Sequence, residues 1–300
     1  MTQEIAVVYS ADDNYAQHAG VSIISILENL NSNYRLRVYL IDGGISKENK
    51  EKLVEAVKKY NAAIMFLHPE KIDYDAFSKR THITVPTYFR LSVASLLPRD
   101  VKRVLYLDCD LIVIGDISAL WRMSLEENVL AAVPNFGHDP DSLGVGVDMS
   151  NYFNAGVMFI DLKNWRAEKV GEKAFSYLGL YRDRVIYQDQ DALNYVVGKK
   201  WVSLPTKYNI QSTMITNRRL NLSDTIIIHF TDQDKPWHYL CSHPWSFCYS
   251  QYLKLSPWKG FVAVDKNLIN VSLKFAKLFY QKTIPWKIRN KLKIRTRLGL

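Results

Sequence analysis

The sequence predicts an α/β fold in which a parallel sheet is covered by helices on both faces, and three observations carry that expectation. Apolar runs of strand length alternate with helically spaced stretches in the order βαβαβ across residues 5–67. Residues 104–114 are apolar at nearly every position, as a strand sandwiched between two layers must be. A polar turn at residues 10–14 and the acids Asp108 and Asp110 fall at strand carboxyl ends, where ligands bind to such sheets.

Each element follows from its own pattern. Residues 5–9 form a buried first strand that ends in the turn Ser10-Ala11-Asp12-Asp13-Asn14. Val21, Ile24, Ile26, Leu27 and Leu30 then repeat at helical spacing. Residues 36–42 read as the second strand, 47–60 as a charged helix and 63–67 as the third strand. Further on, residues 156–162 make an apolar strand after Tyr152-Phe153-Asn154-Ala155. The polar run Gln188-Asp189-Gln190-Asp191 opens a helix at residues 192–197, where acids suit the helix dipole as readily as a function. Residues 225–230 are a last buried strand with His229 near its end.

Two carboxylates inside an apolar strand demand a partner, because burying an unpaired one costs several kcal/mol. Side chains alternate along a strand, so Asp108 and Asp110 share a side while Cys109 takes the other, and the pair can share a divalent ion. The competing reading is a half-exposed strand with two solvated acids. His229 completes an O,O,N set suited to Mn²⁺ only if the fold brings it to face the two acids; otherwise it is a hydrogen-bonded structural histidine. The chain has no GxGxxG, no GxxxxGK[ST] and no HExxH, which removes the usual dinucleotide, P-loop and zincin readings.

The formal net charge of +9 resembles a nucleic-acid signal until it is divided by position. Residues 266–300 hold seven Lys and three Arg and no acid. The rest of the chain has 29 basic against 30 acidic residues, about −1, so nucleic acid is not an expected partner of the main domain. Three cysteines, with no CxxC pair, fit a reducing compartment. The N-terminus lacks a basic, then apolar, signal, and no run of about 18 apolar residues exists to span a bilayer. A cytoplasmic location is expected.

Several motifs, in order, resemble those of family 8 retaining glycosyltransferases: residues 10–15, Thr87-Tyr88-Phe89-Arg90-Leu91, 105–110, 152–157, 187–191, and His229 followed by Lys235-Pro236-Trp237. The likeness covers about residues 5–240. It implies a GT-A nucleotide-sugar-binding fold, a Rossmann-like mixed sheet flanked by helices, with residues 1–260 as the catalytic domain and 261–300 as a basic, aromatic-rich C-terminal segment. It further implies a UDP-sugar donor carrying galactose or glucose, and Mn²⁺ or another divalent cation such as Mg²⁺. The acceptor would be a carbohydrate or glycolipid of the cell envelope, such as lipooligosaccharide or lipopolysaccharide, or a glycoprotein glycan. By the same resemblance Ser10, Ala11, Asp12 and Asn14 lie at the uridine end, Asp108, Cys109 and Asp110 reach the diphosphate, and Asp108, Asp110 and His229 ligate the metal. Arg90, Asn154, Asp189 and Gln190 surround the donor sugar as catalytic residues, Lys235 meets the pyrophosphate and His82 lines the acceptor pocket. Asp232 stands where the family commonly has glycine, so acceptor identity does not transfer.

A metal-dependent aspartyl phosphatase and a non-catalytic sugar-nucleotide-binding protein are the competing functions. Neither explains the full motif set: the phosphatase has no need of the early Asp12 and Asn14 turn, and the sensor no need of a complete metal-binding set. Two-carboxylate glycoside hydrolysis fits less well, since its acids flank the scissile bond rather than lie side by side. In the tail, Leu268, Val271, Phe275, Leu278 and Phe279 recur at helical spacing, and Trp286, Ile288, Leu292 and Ile294 are interleaved with basic residues. Such a segment lies on an anionic membrane surface, which places the protein peripherally at the inner face of the plasma membrane; the alternative is a solvated basic tail or a nonspecific nucleic-acid patch.

Overall fold

The computed structural model describes residues 2–60, 62–69, 85–135, 146–217, 220, 222–231 and 233–283. His82, Asp232 and the basic residues beyond Thr283 lie outside the described residues.

The first strands and helices form the expected unit: β1 (Gln3–Ala11), α1 (Asp13–Asn29), β2 (Tyr34–Asp42), α2 (Lys47–Lys58) and β3 (Ala63–Leu67). β1 pairs in parallel with β2, and β2 with β3. α1 starts where Asp12 Oδ1 accepts from the Tyr15 amide, and α2 where Ser46 caps Asn49, so each helix begins on a side-chain acceptor. A 3₁₀ segment (Val85–Ser92) and α3 (Val93–Leu96) lead into β4 (Arg103–Leu107). β5 (Leu111–Val113), α4 (Ser118–Trp121), β6 (Leu130–Pro134), β7 (Phe153–Asp161), α5 (Leu162–Ala167) and α6 (Val170–Tyr181) follow. The remainder comprises α7 (Asp189–Val197), β8 (Trp201–Ser203), β9 (Ile210–Gln211), α8 (Ser212–Asn217), β10 (Ile227–His229), α9 (Ser246–Leu253) and α10 (Leu268–Thr283).

Seven strands line up as β3-β2-β1-β4-β7-β6-β8, and a second sheet runs β5-β10-β9. The large sheet is mixed, as the family resemblance implied, and not wholly parallel as the alternation of elements alone suggested, because β7 runs against both β4 and β6. A strand buried on both faces is apolar whichever way its neighbours run, so its pattern carries no direction. A second correction concerns residues 104–114, which are not one strand. β4 stops at Leu107, the chain turns through Asp108-Cys109-Asp110, and β5 joins the small sheet.

β4 is buried on both faces as its sequence requires. Leu105 and Leu107 pack in one core with Ile23 and Val38, and Val104 and Tyr106 in another with Met158 and Trp165. The chain beyond β10 returns to α1. His18 of α1 stacks on Trp237, ring centroids 3.5 Å apart, and a Cβ on Gly20 would collide with the Trp258 ring. No helix among the described residues is long and apolar enough to cross a membrane.

Candidate functional site

The cleft opens where β1 and β4 end. Ser10, Ala11, Asp12, Tyr15, Thr87, Arg90, Tyr106 and residues 108–110 wall it. Within it the Ser10 hydroxyl is buried without a hydrogen-bond partner, and Asp12 both caps α1 and borders the opening. Asn14 is exposed on the first turn of α1 and is not among the described walls. Cys109 turns inward, its thiol donating to the Ser10 carbonyl at 3.2 Å, and burial pushes that thiol up. Asp108 and Asp110 therefore share a side, as alternation anticipated, through a turn that carries the chain between two sheets.

Asp108, Asp110 and His229 converge, one ligand atom of each lying within 4.8 Å of the others. His229 Nε2 is 3.2 Å from Asp110 Oδ1 and 3.8 Å from Asp108 Oδ2. The outer oxygens of both acids are held by cations: Arg90 Nη2 meets Asp108 Oδ1 at 2.9 Å, and Lys235 Nζ meets Asp110 Oδ2 at 2.6 Å. Burial disfavours the Asp110 charge, but Lys235 beside it is the foremost cause that holds its carboxyl below the ordinary range.

Arg90 is buried and reaches three ways. Its Nη1 donates to the Ala155 carbonyl at 2.9 Å, its Nε donates to the Thr87 carbonyl at 3.1 Å while lying 2.9 Å from Asp189 Oδ2, and its guanidinium lies 4.9 Å from the Tyr106 ring centre. Burial works against the guanidinium charge, but Asp108 and Asp189 keep it charged. Because the Nε–H is aimed at Thr87, Asp189 Oδ2 has charge contact without a hydrogen bond. Burial, only partly offset by Arg90, pushes Asp189 up to about 6. Asp108, Asp110 and Asp189 thus face Arg90 and Lys235, leaving the buried cluster about one negative charge in excess when His229 is neutral.

α7 presents Asp189 and Gln190 from a backbone held open by Gln188, whose φ is 49° and whose side chain accepts from Tyr88 at 2.7 Å. Gln190 Oε1 accepts from the Ala155 amide at 2.9 Å and from Asn154 Nδ2 at 3.3 Å, while its Nε2 donates to Tyr152. Asp191 is consumed by structure, accepting from Tyr152 and from the amides of Ile186 and Tyr187. β7 supplies the floor. A Cβ on Gly156 would collide with His229 Cε1 and lie 2.6 Å from Asp108 Oδ2, so only glycine fits under the acid–histidine group.

The sequence reading missed Asn209. It is fully buried between Tyr208 and Ile210, and its Oδ1 lies 3.0 Å from His229 Nδ1 while its Nδ2 donates to Asn154 Oδ1 at 2.8 Å. Asn209 stands among other polar residues, Thr206, Lys207, Gln211 and Ser212, so nothing in the sequence sets it apart.

The chain resembles known proteins along most of its length. The sequence profile of Glycosyl transferase family 8 matches residues 6–241. General stress protein A of Bacillus subtilis strain 168 is 33% identical over 84% of this chain and 94% of its own. A lipopolysaccharide 1,2-glucosyltransferase of Escherichia coli K12 is 31% identical over 92% of this chain and 85% of its own. Galactosyltransferase LgtC, solved in complex with donor and acceptor sugar analogs, superimposes with a TM-score of 0.75 at 25% identity, covering 85% of this chain and 99% of LgtC.

Proposed function

The chain belongs to Glycosyl transferase family 8, and on that premise we propose that it is a retaining, metal-dependent hexosyltransferase that moves galactose or glucose from a UDP-sugar to a cell-envelope glycan. The observation that carries this reading is the convergence of Asp108, Asp110 and His229 beside a free cleft, with Lys235 attached to the same acid. The relatives named for lipopolysaccharide glucosyl transfer favour a lipopolysaccharide-type or other glycolipid acceptor.

The donor set fits a divalent cation. Two half-buried carboxylates and one buried imidazole nitrogen converge in a cluster with an excess of negative charge, a combination suited to Mn²⁺ or Mg²⁺. When bound there, such an ion supplies positive charge to the diphosphate. The protein's own groups do the rest. Lys235 Nζ, held between Asp110 and the Phe230 carbonyl, neutralises charge as it accumulates on the departing UDP. Ser10, Ala11 and Asp12, which wall the cleft, take the uridine end with Asn14 at its outer edge, and Asp189 holds Arg90 in place behind the donor sugar. Gln190 cannot serve as a free nucleophile, because the Ala155 amide and Asn154 hold its carbonyl and an amide is a poor nucleophile. Retention by departure and attack on one face of the sugar is the mechanism consistent with that restraint, with Arg90 and Asn154 fixing the pocket around it. Residues 1–260 carry this chemistry, and residues 261–300 place it at the inner membrane surface of the cell.

Two measurements test the reading. A donor screen following UDP release with Mn²⁺ present is expected to consume UDP-galactose or UDP-glucose; consumption of only a GDP-, CMP- or dTDP-sugar overturns the nucleotide assignment. Asp108→Asn and Asp110→Asn are each expected to lose more than about tenfold in turnover, at least ~1.4 kcal/mol of barrier, because an amide supplies no charge to hold the ion. Retained turnover in either variant with an intact fold overturns the metal assignment.

A further inference from the structure

We propose that Asn209 is a positioning residue for the metal site: a relay anchored on one backbone amide fixes the tautomer of His229 and so leaves its Nε2 lone pair aimed at Asp108 and Asp110. The argument starts at Gly156, whose N–H can only donate and lies 3.0 Å from the side chain of Asn154. That atom of Asn154 must be the carbonyl oxygen, Oδ1. Asn209 meets the same Oδ1 at 2.8 Å, so the atom it presents must be its NH₂ nitrogen, Nδ2. Its Oδ1 is then turned to His229 Nδ1 at 3.0 Å, and an amide carbonyl can only accept, so Nδ1 carries the hydrogen. In the neutral ring, Nε2 has no hydrogen. It is 3.2 Å from Asp110 Oδ1, an acceptor, and 3.8 Å from Asp108 Oδ2, another. Three lone-pair donors face one point, which is the arrangement a cation completes.

The relay also reaches the opposite wall. The other amide atom of Asn154, Nδ2, donates to Gln190 Oε1, so Asn154 ties the ring of His229 to the residue proposed beside the donor sugar. Every member is buried or half-buried, and Asn209 itself is fully so, which leaves no water to substitute for a missing amide. Partners that orient a ligating histidine typically matter 10–100-fold to metal affinity.

The inference rests on the proposed role of His229 as a metal ligand, and the experiment separates the two. Metal-free full-length protein with ¹⁵N-labelled histidine reports the tautomer of His229 directly, with His229→Gln identifying its signal. The Nδ1–H form is expected in the wild type; the Nε2–H form overturns the relay whatever the metal does. Mn²⁺ binding, followed through the spin-resonance signal of the free ion, is then compared for wild type, Asn209→Leu and Asn209→Asp. Asn209→Leu is expected to lose 10–100-fold in affinity and the fixed tautomer, with its circular dichroism unchanged. Asn209→Asp keeps an acceptor for Nδ1–H but has no N–H to give Asn154 Oδ1, so it is expected to keep the hydrogen on Nδ1 while losing the link to Asn154. Equal affinity in wild type and folded Asn209→Leu overturns the proposal. If Asn209→Leu does not fold, the wild-type tautomer still decides it, since an Nε2–H form contradicts the relay. Mn²⁺ binding unaffected by His229→Gln overturns the ligand role alone.

Discussion

Asp110, half-buried, and Asp189, buried, belong to one charge cluster, and their surroundings send them in opposite directions. Asp110, held down foremost by Lys235 against the cost of burial, contributes stability above its ordinary value of 3.8 and loses it as pH falls further. Asp189 is raised by burial from 3.8 to about 6, so its native state binds the proton more tightly than the unfolded chain does. Its contribution is complete below pH 3.8 and is lost as pH rises through about 6; above that the buried charge costs roughly 3 kcal/mol. Asp189→Asn carries no such charge. Denaturant midpoints of wild type and Asp189→Asn are expected to diverge in favour of the variant between about pH 4 and about pH 7, whereas the gap between wild type and Asp110→Asn stays nearly constant there. A wild-type-to-Asp189→Asn difference that does not change with pH removes the proton from Asp189. The acids and the histidine were legible in the sequence because carboxylates are conspicuous within an apolar run. Asn209 was not, since a neutral amide among Lys207, Gln211 and Ser212 looks like any other polar residue of a connecting segment.

At the scale of elements, the turn between β4 and β5 and the strand β7 beneath it make one unit. β7 is fixed on both edges by antiparallel ladders to β4 and β6, so its backbone cannot retreat from the group above it. Gly156→Ala therefore forces the side chains to move: its Cβ collides with His229 and presses on Asp108. Overpacking of this kind costs about 1–3 kcal/mol in stability. The larger effect is expected in function, a loss of more than about tenfold in turnover together with weakened Mn²⁺ binding. Wild-type Mn²⁺ affinity in folded Gly156→Ala shows that β7 does not shape the site. The sequence made the βαβαβ unit and the strand at β7 legible, because periodicity records which faces are buried. It did not record that β7 runs antiparallel or that residues 104–114 split between two sheets. An apolar strand has the same pattern in either direction, and Asp108-Cys109-Asp110 contains none of the Gly or Pro that usually marks a turn.

For the whole molecule, the question is how the catalytic unit meets its acceptor, and α10 offers the physical handle. The helix docks through polar groups: Lys274 Nζ donates to the Tyr239 carbonyl at 2.6 Å and lies over the Tyr239 ring, and Asn270 donates to the Asp265 carbonyl. Leu268, Ile269, Leu273 and Phe275 face outward, Leu268 87% and Phe275 68% exposed. A helix with its polar side against the protein and its apolar side in water is arranged for a lipid interface rather than for a core. Tyr239 closely follows Lys235, so removing the whole segment from residue 266 also removes a brace beside the site. The discriminating truncation is therefore the deletion of residues 284–300, which takes away Trp286 and six basic residues and leaves Lys274 in place. Each basic residue near an anionic surface contributes about 1 kcal/mol, so the loss is large against the affinity of a peripheral helix. The truncated protein is expected to pellet far less with anionic vesicles, while its transfer to a short soluble acceptor stays near wild type. Binding of the intact chain is expected to weaken as salt rises through physiological strength, because the attraction acts within a Debye length of about 8 Å. Co-sedimentation of both proteins at low and high salt reads this directly. Equal pelleting shows that residues 284–300 are not the anchor, and unchanged binding at high salt shows that the apolar face of α10, rather than the basic charge, holds the surface.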